Sequence, residues 1–153
     1  MKKLGNIPDG GRWRYVGRKR GYRNKSATPG LPRSKWGNPN NGQAFVHSVL
    51  DDHSRVVYSE VHDDERKETA VAVLRRAVFW FAARGVIVEE VLSDNGSCYR
   101  SAAWRELCRD LDIKPRRTKP YRPQTNGKIE RFHRPRADGW AYARHYSSES
   151  ARR

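Results

Sequence analysis

The spacing of apolar residues between Ala44 and Thr118 changes from that of strands to that of helices and back, which limits the possible folds severely. Ala44 to Leu50 and Arg55 to Val61 are rich in β-branched and aromatic residues. The residues between them, Asp51-Asp52-His53-Ser54, are typical of a turn. These segments therefore predict an antiparallel hairpin.

A helix is predicted after the hairpin, up to about Arg84. Acidic residues at 63–65 would oppose its macrodipole, and Gly85 would end it. Its apolar face recurs at steps of three and four residues and comprises Val71, Leu74, Val78 and Phe81. The aromatic run 79–81 is interpreted as core packing.

Three further elements and a final helix are predicted in alternation. They are a strand over Val86 to Leu92, a helix over Ser101 to Leu111, a strand over Ile113 to Thr118, and a helix from near Lys128 that contains Glu130. This order predicts an α/β fold with one mixed sheet and helices on both faces. It resembles the ribonuclease-H-like order with the first strand partly or wholly missing.

The net charge of +15 is unevenly distributed along the 153 residues. Residues 1–40 carry +10, residues 41–112 carry −4 and residues 113–153 carry +9. The acidic centre holds the apolar periodicity, so basic ends flanking a folded core predict a nucleic-acid partner. The alternative is two solvated basic tails, and the glycines and prolines of the first segment favour a long loop there.

No apolar run reaches the roughly 18–20 residues that cross a bilayer, which predicts a soluble, cytoplasmic protein without a membrane partner. Cys98 and Cys108 lie ten positions apart without metal-ligand spacing to a histidine. We interpret both as ordinary reduced cysteines.

Asp94 follows a predicted buried strand, at the sheet edge where ligands usually bind. On position alone it is equally a turn aspartate, and a lone Glu130 among basic residues is usually a solvated salt-bridge partner. Taken together, a carboxylate at a strand end and one on a nearby helix suit a two-metal site for Mg²⁺ or Mn²⁺ that acts on phosphodiesters.

Two segments carry a family resemblance. Leu92-Ser93-Asp94-Asn95-Gly96-Ser97 and Arg122-Pro123-Gln124-Thr125-Asn126-Gly127-Lys128-Ile129-Glu130-Arg131-Phe132-His133 resemble the second and third catalytic motifs of bacterial insertion-sequence transposases with a retroviral-integrase-type DDE core. The 35 residues between Asp94 and Glu130 match the family's spacing. The turn at 51–55 resembles the family's turn after the second strand, and the similarity extends from about Lys2 to Arg153.

The resemblance implies the roles of individual residues. Asp94 and Glu130 would be catalytic metal ligands for Mg²⁺ or Mn²⁺, and a group of DNA-binding residues would comprise Gln124, Asn126, Lys128 and Arg131. The implied reaction is attack of water or a 3′-hydroxyl on a phosphodiester, which cleaves DNA and then joins transposon ends to a target. The implied partners are DNA and further copies of the chain.

The sequence also departs from the family. In relatives the first catalytic Asp lies just before the stretch that resembles Lys2-Lys3-Leu4-Gly5, where this sequence has Met1, so that carboxylate is expected to be absent. Asp51 is a poor substitute because it lies at the far end of the next strand. Pro135 is expected to end or kink the catalytic helix. We therefore expect a truncated core with impaired activity, divided into a basic region at 1–40 with a remnant of the first strand, a catalytic core at 41–135 and a basic segment at 136–153.

Two other hypotheses stay open from the sequence. A non-catalytic basic fragment that binds DNA or dimerises would explain the charge without requiring chemistry at Asp94. A basic ribosomal or RNA-binding protein would also explain the charge, but not the spacing between Asp94 and Glu130.

Overall fold

The computed structural model describes residues 1–38, 40–119, 129, 131, 137–141 and 143–153. The helices and strands, in chain order, are β1 (Lys2–Gly5), α1 (Trp13–Val16), α2 (Arg18–Ala27), β2 (Gln43–Leu50), β3 (Val57–His62), α3 (Lys67–Ala82), β4 (Glu90–Ser93), a 3-10 helix (Ser97–Arg100), α4 (Ala102–Asp110), β5 (Lys114–Arg117), a π-helical turn (Ala137–Ala141) and α5 (Glu149–Arg152).

The predicted hairpin is confirmed. β2 and β3 pair antiparallel from Phe45 opposite His62 to Leu50 opposite Val57. The turn between them is closed by Asp51, whose backbone N–H donates to the carbonyl of Val56 at 2.9 Å. The two predicted segments therefore lie within one residue or two of the observed strands.

The described strands form two hydrogen-bonded groups where the sequence predicts one mixed sheet. The first group has the order β1-β2-β3, so a short first strand is present at Lys2–Gly5. The second group is the parallel pair β4 and β5, in register from Glu90 opposite Lys114 to Ser93 opposite Arg117. β4 begins four residues later than the predicted start of that strand.

The larger apolar core forms where α3 packs against α4 and the 3-10 helix. Its fully buried members are Ala70, Leu74, Cys98, Trp104, Leu107 and Cys108. Both cysteines are free thiols, as predicted. The Ser101 hydroxyl accepts a hydrogen bond from the backbone N–H of Trp104 at 3.2 Å, which caps α4.

The predicted core role of the aromatic run on α3 is only partly correct. Phe81 is buried, whereas Phe79 is largely exposed. Trp80 is half-buried, and the Arg84 guanidinium lies 3.6 Å from the centre of its ring. Successive helical residues point about 100° apart, so three adjacent aromatic side chains cannot share one buried face.

The chain divides into two compact units. One contains Met1–Lys2 and Phe45–His133, and the other contains Lys3–Ala44 and Arg134–Arg153. The strongly basic chain ends therefore contribute to the same unit. Among the described residues, no helix is long and apolar enough to cross a membrane.

The long loop predicted for the first basic segment is wrong over residues 13–27, because α1 and α2 form there. The side-chain amide of Asn24 in α2 donates to the carbonyls of Gly10 at 2.6 Å and Gly11 at 3.1 Å. The hydroxyl of Thr28, just after α2, accepts from the Asp9 backbone N–H at 2.9 Å. These bonds anchor a polar helix that has little apolar surface of its own to bury.

Candidate active site

β4 carries the chain directly to Asp94. Ser93, the last residue of β4, is nearly buried, and its carbonyl accepts from the backbone N–H of Thr118 at 2.9 Å. Asp94 follows at once and is half-buried, so its carboxylate belongs to the C-terminal edge of a parallel strand pair. The predicted position of Asp94 at a strand end is confirmed, but β4 is not the buried strand that was predicted, because Glu90 and Leu92 are exposed.

The backbone after Asp94 fixes the carboxylate. The N–H of Gly96 donates to Oδ1 of Asp94 at 2.8 Å, which closes a tight turn. A β-carbon at position 96 would stand 2.8 Å from that same oxygen, so only glycine leaves room for the carboxylate there. An anionic oxygen donor held in this way suits a hard divalent cation such as Mg²⁺ or Mn²⁺.

Asn95 is a positioning residue that the sequence did not single out. Its side-chain amide donates to the Thr118 carbonyl at 3.0 Å and so ties the turn after β4 to the residue after β5. The sequence feature that could have indicated it is the Asn-Gly pair directly after a strand, because such a pair is typical of a turn in which the Asn side chain bonds to the backbone. Asn95 thereby limits the movement of the turn that carries Asp94.

The wall behind Asp94 is apolar and neutral. Cys98 and Tyr99 lie on the 3-10 helix, and burial raises the pKa of both side chains above their ordinary values. The Tyr99 ring packs edge-on against Trp104, with centroids 4.8 Å apart. Neither group is ionised near neutral pH, so both act here as packing residues.

The Met1 amino group, just before β1, lies within the electrostatic range of Asp94. Burial lowers the pKa of the Met1 amino group, and the negative charge of Asp94 partly opposes that shift. The Met1 amine also contributes to the lowered pKa of His47, whose main cause is burial on β2. The residue directly before Lys2 therefore occupies the electrostatic neighbourhood of Asp94.

Glu130, Gln124, Asn126 and Lys128 lie outside the described residues, so their expected roles stay predictions. Ile129 and Arg131 are helical, in keeping with a helix that begins near position 128, and Arg131 is exposed. Leaving aside the undescribed positions, no group of three His, Cys, Asp or Glu side chains is placed to hold a metal ion.

Asp51 is engaged in its own turn. Its carboxylate accepts from the backbone N–H groups of His53 and Ser54, each at 3.1 Å, and from the Ser54 hydroxyl. The Ser54 hydroxyl is the main reason that the pKa of Asp51 lies below its ordinary value. Both oxygens of the Asp51 carboxylate therefore already accept hydrogen bonds within the turn, which makes this group poorly suited to serve as a metal ligand.

β5 adds exposed basic side chains near the Asp94 turn. Arg117 lies opposite Ser93, one residue before Asp94, and is exposed. Arg116 makes a two-point ion pair across the strands with Glu90, with both nitrogen-to-oxygen distances at 2.8 Å. Arg117 is therefore a candidate phosphate contact that the sequence did not single out.

A polar network on β3 and α3 also escaped sequence-based prediction. Glu60 accepts from Arg76 at 2.7 and 2.6 Å, and it pairs with Tyr58 and His62. The ring of buried His47 packs edge-on against His62, with centroids 5.5 Å apart. Residues separated by more than ten positions meet only through folding, so no local pattern signals this cluster.

Comparisons with known proteins were made by sequence and by structure. The profile of a family described as Integrase core domain matches residues 34–123, and a second Integrase core domain profile matches residues 111–153. The first match covers more than half of the chain. The chain belongs to the integrase core domain family.

Two curated relatives support this membership. A protein assigned as integrase ORF3 of Spiroplasma virus SpV1-C74 is 26% identical over 102 residues, which cover 58% of this chain and 28% of that protein. A protein assigned as transposase InsD for insertion element IS2E of Escherichia coli K12 is 44% identical over 43 residues, covering 28% of this chain and 20% of that protein. The chain thus spans less than a third of either relative.

A solved structure supports the fold. The simian T-cell lymphotropic virus intasome, in complex with PP2A regulatory subunit B56 gamma, gives a TM-score of 0.59 at 25% identity, covering 67% of this chain and 35% of the matched chain. The predicted ribonuclease-H-like class is confirmed. The resemblance to integrases and transposases, inferred from the motifs around Asp94 and Glu130, is confirmed as well.

Proposed function

We propose that this chain provides the core that cleaves DNA strands and joins transposon ends to target DNA, with divalent metal ions as cofactors. The observation that carries the proposal is the placement of Asp94. Its carboxylate is held by the N–H of Gly96 at the end of a parallel strand, with 35 residues between it and Glu130 in a chain of the integrase core family.

Different residues of the chain would bind the metal ions, position Asp94 and bind the DNA backbone. Asp94 and Glu130 would hold the cofactor ions, and ions held by such carboxylates stabilise the charges on the attacking and leaving oxygens. Gly96 and Asn95 keep the Asp94 carboxylate in place through the turn and through Thr118. Arg117 and Arg131, together with Gln124, Asn126 and Lys128, would bind the DNA backbone without reading its sequence.

The third carboxylate would come from the position before β1. The Met1 amine lies within the electrostatic range of Asp94, so an Asp at that position would add a carboxylate within the same range. Asp51 is engaged in its turn and is not assigned this role. In an oligomer, each copy would present its own set of carboxylates to a separate DNA strand.

The decisive experiment is Mn²⁺-dependent nicking of supercoiled plasmid by the purified chain and by a Met1→Asp variant that carries a new initiator Met. We expect the Met1→Asp protein to nick faster than the chain itself, because it adds a carboxylate within the electrostatic range of Asp94. Adding Asp94→Asn or Glu130→Gln to that variant is expected to reduce nicking about 100-fold or more.

The matched control is Asp51→Asn, which removes a carboxylate of the hairpin turn and should leave the nicking rate within about threefold of its parent, since its oxygens bond only to neighbouring turn groups. Nicking that survives Asp94→Asn unchanged in the Met1→Asp background would contradict the proposal.

A non-catalytic DNA-binding role is the second candidate. The exposed basic side chains of α1 and α2 favour it, because they do not depend on any metal site. In that case all of these variants would bind plasmid equally well and none would nick it in Mn²⁺.

A further inference from the structure

Residues 12–36, which we name the aromatic–basic segment, combine two properties that rarely occur together on a protein surface. The segment holds nine Arg and Lys residues, and no Asp or Glu occurs between positions 10 and 50. It also exposes four aromatic side chains, namely Trp13, Tyr15, Tyr22 and Trp36. The whole segment lies in the unit formed by Lys3–Ala44 and Arg134–Arg153.

The helical part of the segment is built and held in place. α1 and α2 are linked through Gly21, at which a β-carbon would stand 2.7 Å from the backbone nitrogen of Trp13. Trp13 and Tyr22 remain 56% and 60% exposed on this helix pair, although large aromatic side chains normally contribute most to a core. The exposed cations on the same two helices are Arg14, Arg18, Lys19, Arg20 and Arg23.

Trp36 is presented by an ordered turn. The backbone N–H of Ser34 donates to the carbonyl of Asn38 at 2.8 Å, and that of Gly37 donates to the carbonyl of Ser34 at 2.9 Å. The Arg33 guanidinium also donates to the Gly37 carbonyl at 2.9 Å. The indole is 77% exposed, and the Lys35 ammonium lies 5.0 Å from the centre of its ring.

We propose that the aromatic–basic segment binds unpaired DNA, with Trp13, Tyr22 and Trp36 stacking on bases and the surrounding cations following the phosphates. The base faces of a duplex are covered by the neighbouring bases, so aromatic side chains cannot stack on them. Cations alone are enough to bind the phosphates of a duplex. Unpaired strands expose the base faces, and stacking on aromatic side chains binds them with little dependence on sequence. This inference shares its DNA partner with the proposed function, but it uses none of the residues assigned to the chemistry.

The charge of the segment argues for DNA over a protein partner. A protein partner would need a matching acidic face, because the exposed aromatic residues here are accompanied by Arg and Lys and by no Asp or Glu, whereas every nucleotide of DNA supplies a negative charge. The unpaired nucleotides near a cleaved or opened DNA end are the form of DNA that offers both phosphates and free base faces.

The experiment measures binding of the full chain to a labelled single-stranded thymidine oligonucleotide and to a duplex hairpin of equal nucleotide number, by fluorescence anisotropy. We expect Trp36→Ala and Tyr22→Ala each to weaken single-strand binding about tenfold, equal to about 1.4 kcal/mol, with duplex binding nearly unchanged. Trp36→Phe is expected to retain most of the affinity, while Trp36→Leu, which keeps apolar area without a ring, is expected to lose it.

The matched control is Phe79→Ala, which removes an equally exposed aromatic side chain from α3 in the other unit and should leave both affinities unchanged. Three outcomes would each overturn the inference. They are equal losses of affinity for both oligonucleotides, an unaltered single-strand affinity in Trp36→Ala, and no DNA binding by the parent chain. A Met1→Asp protein that binds the single strand with the parent's affinity but does not nick plasmid would contradict the proposed function alone.

Discussion

At the scale of single residues, small side chains decide where groups can approach each other. Gly96 leaves room for the Asp94 carboxylate, and Gly21 leaves room for the backbone of α1 against α2. Asn24 supplies the hydrogen bonds that the carbonyls of Gly10 and Gly11 would otherwise lack. None of these residues is hydrophobic, yet each determines whether a neighbouring element can form.

Gly21→Ala is expected to destabilise the unit that contains α1 and α2. The added methyl group would meet backbone atoms of Trp13, which cannot move without separating the two helices. Overpacking of this kind costs about 1–3 kcal/mol. Urea unfolding of the variant measures the loss.

Gly139→Ala serves as the control, because its added methyl group meets no atom of the described residues within 4 Å. Equal stability of the Gly21 and Gly139 variants would show that α1 and α2 do not depend on close contact at this glycine.

At the scale of elements, an ionic network joins β3 to α3. Arg76 binds both carboxylate oxygens of Glu60, while Tyr58 and His62 bond to the same group. The hydrogen bond from Arg76 is the largest of the effects that lower the pKa of Glu60 to about 2. The ion pair is partly open to solvent at Arg76, which is 48% exposed, so screening weakens it.

The pH dependence follows from the direction of this shift. The Glu60 carboxylate stabilises the folded protein at pH values above 4.5, the ordinary pKa of this group. That stabilisation is lost as the pH falls toward about 2, where the folded protein takes up the proton. Buried His47 also lowers stability in acid. Its pKa is lowered in the folded protein, so protonation of the ring at low pH favours the unfolded chain. Its neighbours are His62, the Asp64 carbonyl and the Met1 amine.

Glu60→Gln is therefore expected to reduce the free energy of unfolding by about 2 kcal/mol at neutral pH, through loss of charged hydrogen bonds. The difference from the parent should shrink as the pH falls from 4.5 toward 2, because the parent loses the same ion pair. Urea unfolding at a series of pH values checks this. A difference that stays constant down to the lowest pH would show that the Glu60 charge adds nothing.

At the scale of the whole molecule, segments from both ends of the chain build one unit. Arg152 of α5 is fully buried and donates to the Gly5 carbonyl at 3.1 Å and to both oxygens of Glu149 at 2.8 Å. Glu149 also accepts from the backbone N–H of Ile7 at 3.0 Å. Glu149 and Arg152, near the end of the chain, thus bond to Gly5 of β1 and to Ile7.

Glu149→Gln is expected to destabilise this unit by about 3 kcal/mol, because it leaves the Arg152 charge buried without its counter-charge. Hydrogen exchange should then quicken at backbone groups of residues 3–44 and 143–153, while α3 and α4 keep their protection. Arg153→Ala removes a partly exposed neighbour, whose Nε lies 3.4 Å from Glu149, and should cost less than about 1 kcal/mol. Unchanged exchange in Glu149→Gln would contradict a structural role for this ion pair.

The sequence by itself determined the order of elements from β2 to β5, the hairpin turn at Asp51 and the strand end that carries Asp94. Those features depend on the local spacing of apolar residues and on turn residues, both of which can be recognised in short stretches of sequence. The family also followed from sequence, since a motif and its spacing to Glu130 are properties of the chain itself.

Only the tertiary structure decided that residues 13–27 are helical, that Phe79 is exposed and that Glu60 meets Arg76. The physical reason is that α1 and α2 bury almost no apolar face, and short helices in water are marginal without outside support. Their support comes from the contact at Gly21 and the bonds of Asn24 to positions 10 and 11. Such contacts join residues that are distant along the chain, so they exist only once the chain has folded.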